Sequence, residues 1–172
     1  MLNNDTAIAV HIVQEAMANI DEAIAQSAGS IASVDVDFLQ SEARETVMGL
    51  IASLITADGF LHPQEREFLV RLVEVGDRPN AELAFLREYA ERWRRQEQTV
   101  PGFFRQAVEA DLKNQSDSAG SLTREIQLIA NNCSIADGES TATEKRIISN
   151  YLRLLDDYIE QETANKSSWL EP

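Results

Sequence analysis

Cysteine is nearly missing from this chain: Cys133 stands alone in 172 residues, so neither a disulfide within the chain nor a cysteine-based zinc site can form. Aromatic residues make up only 6%, and 7 glycines with 4 prolines are too few for the many tight turns of a sandwich or barrel. Alternating apolar and polar runs that would mark strands are also scarce. No apolar run approaches the roughly 18 residues of a membrane span, and Met1 to Asp5 has neither the basic start nor the apolar centre of a signal peptide. A cytoplasmic location with no membrane insertion is therefore expected. Positive charge is short as well. With 15 Lys+Arg against 29 Asp+Glu the net charge is −14, a field that repels phosphate backbones and anionic headgroups, so nucleic acid is not expected as a partner. The acidic excess serves solubility first and only weakly favours cations or basic surfaces.

What the chain does have is a repeat. Ala57-Asp58-Gly59 with Glu65 returns as Ala136-Asp137-Gly138 with Glu144, at an offset of 79 residues from Gly59 to Gly138. At the same offset Val47, Leu50 and Leu54 fall on Ile126, Ile129 and Cys133, the spacing of one helical face in both copies. Cys133 thus replaces a packing leucine, and a buried thiol is expected there rather than a nucleophile.

The apolar pattern predicts an all-α chain. Ile8, Ile12, Val13, Met17, Ile20 and Ile24 mark a first helix from about Asp5 to Ser27. A short segment at Val36 to Leu39 offers an early start to the next helix, whose clear pattern begins near Ser41, a candidate cap, and runs to Ala57. Gly59 then suits a turn needing positive φ, and Pro63 suits the first position of a new helix running to Val75. Pro79-Asn80 opens a helix with Leu83, Leu86, Tyr89, Ala90 and Trp93 inward, while Arg87, Arg92, Arg94 and Arg95 interleave with acids on a solvated face. After Pro101 a helix turns Phe103, Phe104, Ala107, Val108 and Leu112 inward, and the polar stretch from Asn114 to Gly120 reads as a connection before a helix restarting at Ser121. Thr141-Ala142-Thr143-Glu144 is a capping box for the last helix, lined by Ile148, Leu152, Leu155 and Ile159. One domain of about seven helices over residues 1–164 is expected, with a tail at 165–172 that only Trp169 and Leu170 could anchor.

The two Asp-Gly corners carry what chemistry the sequence offers. Asp-Gly with Glu six residues beyond Gly imitates the closing half of a calcium-binding EF-hand loop, but Leu54, Thr56, Cys133 and Ile135 stand where its opening carboxylates belong, which excludes that motif. Glu65 and Glu144 each fall at the third helical position, where a side chain reaching back to the cap amide stabilises by roughly 1 kcal/mol without any ligand. Asp58 and Asp137 sit at helix ends whose free carbonyls are already negative, an unfavourable place for Asp. Two accounts remain open: an Asx-type turn, or a hard-cation site built with the returning Glu. His62 is either a further nitrogen ligand or a cap residue. No Gly-rich phosphate loop, HExxH or Ser/His/Asp arrangement is present, and no enzyme is expected.

The doubled phrase, Thr56-Ala57-Asp58-Gly59…Glu65 and Ile135-Ala136-Asp137-Gly138…Glu144, resembles the tellurite-resistance TerB-like family over roughly residues 41 to 160. The resemblance implies a bundle of about seven helices in two pseudo-symmetric halves, with internal repeats at 47–75 and 126–154. It implies a bacterial, tellurite-resistance or stress-response setting, and Asp58, Glu65, Asp137 and Glu144 as candidate metal ligands. The loops here are less acidic than the family's: Phe60-Leu61-His62-Pro63-Gln64 has no carboxylate, and the second loop has only Glu139. Two functions follow as expectations. One is a non-enzymatic cytoplasmic module holding a divalent cation at the corners. The other is a protein-interaction or adaptor module, as a homodimer or with a partner protein, in which the motif is purely structural; Trp93, Trp169 and the Arg87 to Arg95 face are its expected contacts.

Overall fold

In a computed structural model the described residues are 4–31, 34–59, 61–73, 81–135 and 140–168. They form seven α-helices and no strand: α1 (Asn4–Ala28), α2 (Val36–Ile55), α3 (Pro63–Val73), α4 (Ala81–Gln96), α5 (Gly102–Asn114), α6 (Ser118–Ser134) and α7 (Ala142–Ser168). The expected all-α bundle is what forms. Asp137 and Gly138 of the second corner, the turn at Gly76 and Pro79, and Trp169 and Leu170 of the tail lie outside the described residues.

The bundle is organised around α2, which packs on α1, α4, α5 and α6. Its sequence explains the position. Val47 through Ala52 is an unbroken run of buried residues, so this helix has no solvated face along that stretch. α1 packs across α6 and contributes Ala9, Val10, Val13, Ala16, Ile20 and Ile24 to the core. Ile8, expected inward, is 51% exposed because the buried stripe passes through Ala9 and Val10 instead.

α2 begins at Val36, the earlier of the two starts open in the sequence, because the Asp35 carboxylate accepts the Phe38 N–H at 3.0 Å and caps that turn. α6 begins at Ser118, inside the stretch expected to be a connection. There Asp111, in the last turn of α5, accepts from the Ser118 and Ala119 amides at 2.7 and 2.8 Å. Similarly, α5 has Pro101 as a cap without a side-chain bond, and its amides at Gly102 and Phe103 donate to the Glu42 carboxylate of α2 at 2.9 and 2.8 Å. Gly102 leaves room for this approach: a Cβ there would lie 2.8 Å from Glu42 Oε2 and displace the end of that side chain. α7 remains helical through Ser168, past the expected start of the tail, with residues 163–167 exposed.

Positions equivalent under the repeat agree in burial only in part: Phe68 is buried where Ile147 is half-buried, and Met48 and Ala52 are buried where Gln127 and Asn131 are exposed, whereas five pairs agree. Val47 and Ile126, Leu50 and Ile129, Leu54 and Cys133, Leu69 and Ile148, and Glu65 and Glu144 are all buried. Among the described residues no helix is long and apolar enough to cross a membrane.

Candidate functional site

At the first corner α2 ends at Ile55, with Thr56 closing its last turn, and the chain reverses through Gly59 at φ +84°. That is the positive φ expected of it. The Gly59 N–H returns to the Thr56 carbonyl at 3.1 Å. Three residues later His62 acts as the cap of α3: its carbonyl accepts the Arg66 N–H at 2.9 Å, and its own N–H donates to Glu65 Oε2 at 2.8 Å. Glu65 is therefore the returning side chain of a capping arrangement, and it is 4% exposed.

Asp58 is tied to the same residue from the other side. Its Oδ2 lies 2.9 Å from His62 Nε2. A carboxylate only accepts, so the ring nitrogen carries the proton in this pair. A donor from the start of α3 thus offsets the unfavourable placement of Asp58 beyond the carbonyl end of α2. Asp111 repeats the logic, an acid in the last turn of a helix answered by the first amides of the next.

At the second corner the capping box is complete. Thr141 N–H donates to Glu144 Oε2 at 2.8 Å and Glu144 N–H to Thr141 Oγ1 at 3.2 Å, while Glu144 is 3% exposed. Asp137 lies outside the described residues. The structure thus gathers Asp58 and Glu65 around His62, and Glu144 with Thr141. Among the described residues no three His, Cys, Asp or Glu side chains come together as a group able to hold a metal ion. At the first corner, Glu65 places one oxygen on the cap amide and Asp58 one on the His62 ring.

Other residues singled out by sequence have plain settings. His11 lies 3.4 Å from Glu15 on an exposed stretch of α1. The Arg87 to Arg95 face is solvated as expected; Arg92 pairs with Glu88 and sits 5.6 Å from the centre of the Tyr89 ring. Cys133 is 2% exposed, and burial pushes its thiol far above the ordinary range, which removes it from nucleophilic chemistry. Trp93 is inward, at 3% exposure, so it offers almost no surface to a protein partner, unlike the contact residue expected from sequence.

Trp93 instead meets Tyr151 of α7 edge to face, with ring centroids 4.6 Å apart. This pair is the feature sequence reading missed, since its members come from different halves of the chain. Both are 3% exposed, and among the described residues neither Trp93 Nε1 nor the Tyr151 hydroxyl has a hydrogen-bond partner. A buried donor left so costs about 1–3 kcal/mol. Burial, reinforced by the charge of Glu42, holds the Tyr151 hydroxyl protonated well beyond the usual tyrosine range. The two rings line both a groove of about 660 Å³ and a smaller cavity of about 170 Å³ that Glu42 and Arg105 also line.

No protein-family model, no curated protein and no solved structure matches the chain.

Proposed function

We propose that the chain is a TerB-like cytoplasmic module that works by binding a protein partner rather than by catalysis, its Asp-Gly corners building the fold. The observation that carries this reading is the buried engagement of both motif glutamates. Glu65 and Glu144 are 4% and 3% exposed, and each accepts from the cap amide of its own helix. Five repeat-related pairs that are buried in both copies support the two related halves that the TerB-like resemblance implies, while Phe68 with Ile147 and Leu72 with Tyr151 differ. With the two glutamates engaged at helix starts, the working surface lies elsewhere, and a tellurite-resistance or stress-response setting supplies the partner. Sedimentation of the pure protein and capture from cells under such stress test the reading. Self-association or a specific captured protein is expected; a monomer with no captured protein contradicts it.

A second reading keeps a divalent cation at the first corner, favoured by Asp58 and His62 standing 2.9 Å apart with side chains 29% and 43% exposed. An oxygen and an imidazole nitrogen at that spacing can share a cation once the ring gives up its proton. Calorimetric titration with Ca²⁺, Mg²⁺, Mn²⁺ and Zn²⁺ separates the readings. Saturable heat lost in Asp58→Asn supports the cation, and no heat at millimolar metal removes it.

A further inference from the structure

The groove of about 660 Å³ opens between α4 and α7, which touch through Trp93 and Tyr151 but are not packed along their lengths. Its size falls in the range of small-molecule sites. From α7 two neighbouring stripes line it: Ile147, Tyr151 and Leu154 are one, at the 4 and 3 spacing of a helical face, and Arg146, Asn150, Arg153 and Asp157 are the other. From α4 and its end come Trp93, Glu97 and Gln98.

The charges are unspent. Arg146 and Arg153 form no ion pair among the described residues, and the one side-chain contact of Arg153 is a long one, 3.5 Å to Asn150 Oδ1. Their backbone positions are about 10 Å apart along the helix, near enough for two long side chains to converge on one group over Asn150. Asp157 lies one turn beyond Arg153, away from Arg146, and with Glu97 it repels a second negative charge. Trp93 Nε1 and the Tyr151 hydroxyl are both shielded from solvent, so these residues line the groove without presenting those donors to it.

We propose that this groove binds a small organic anion with a single negative group and a flat apolar body. The anionic group sits between Arg146 and Arg153, and the body lies along Ile147, Tyr151 and Leu154 against the edge of Trp93. An inorganic anion would leave most of the volume and the whole apolar stripe unused. A polyanion would meet Glu97 and Asp157. The site is independent of the Asp-Gly corners, so it stands or falls apart from the function proposed above.

The test uses the full chain and 8-anilinonaphthalene-1-sulfonate, with uncharged N-phenyl-1-naphthylamine as its counterpart. Fluorescence titration is expected to show one saturable site for the sulfonate. Arg146→Gln with Arg153→Gln weakens it at least tenfold, Arg124→Gln on α6 leaves it within twofold, and the uncharged probe responds to none of these substitutions. Arg146, Arg153 and Arg124 are all exposed, so the variants retain the fold, which circular dichroism checks. Absence of saturable binding, equal affinity in the double variant, or equal weakening by Arg124→Gln overturns the proposal.

Discussion

Single residues in this chain are decided by what answers them. Asp58 looks misplaced beyond a helix carbonyl end until His62, four residues on, is seen to donate to it. The spacing was visible in the sequence, but the choice between ligand and cap was not, because it depends on where the turn at Gly59 aims the ring. Gly59 itself was legible. Its φ is +84° and nothing lies within 4 Å of where a Cβ would be, so Gly59→Ala pays only for backbone conformation. A cost of about 1 kcal/mol is expected, with the melting temperature lowered by about 2–4 °C. Thermal melting by circular dichroism checks it, with Gly59→Asn falling between the two. Cys133 was equally legible from its register with Leu54. In the native protein it is expected to resist a thiol reagent at neutral pH and to react fully once denaturant unfolds the chain, as a colorimetric thiol count would show.

Helix starts divide by whether their caps are local. The Thr141/Glu144 box lies within four residues and was read directly. α5 and α6 start on carboxylates supplied from outside their own first turn, Glu42 from α2 and Asp111 from α5; Pro101 still announced α5, but no local pattern announced α6 at Ser118. This is also why a polar stretch read as a connection contains the first turn of α6. Asp111→Asn and Glu42→Gln are each expected to cost about 1–2 kcal/mol by urea denaturation, well above ordinary surface substitutions. A Cβ at Gly102 would meet only the movable end of Glu42, so Gly102→Ala is expected to displace that carboxylate and weaken its two amide bonds. Combined with Glu42→Ala, which removes the contacting atoms, it should cost less than the sum of the two, the mark of a shared contact. α2 shows a different limit. Its repeat-matched face was readable, but its central place follows from residues such as Met48 and Ala52 on the other sides, which the repeat comparison passes over.

At the scale of the molecule, the all-helical fold follows from strong apolar periodicity, whereas the Trp93 and Tyr151 pair joins helices far apart in sequence and was not readable. That pair links stability to alkaline pH. Tyr151 keeps its proton in the fold to a higher pH than an unfolded tyrosine, first through burial and then through Glu42. Its contribution is therefore complete below about pH 10 and is lost as pH rises beyond it, when the unfolded chain ionises first. Urea midpoints measured from pH 8 upward should hold steady and then fall above about pH 10, with a smaller fall in Tyr151→Phe.

The central claim is that Glu65 and Glu144 are spent on starting α3 and α7. Its most direct test is thermal melting of the parent, Glu65→Gln and Glu144→Gln, with chelator and with millimolar Ca²⁺, Mg²⁺, Mn²⁺ or Zn²⁺. Gln keeps an acceptor for the cap amide and loses the charge, so each variant should melt about 1–3 °C lower than the parent, by the same amount in every condition. A parent that melts higher with one of these metals, by a margin that either substitution abolishes, would contradict the account.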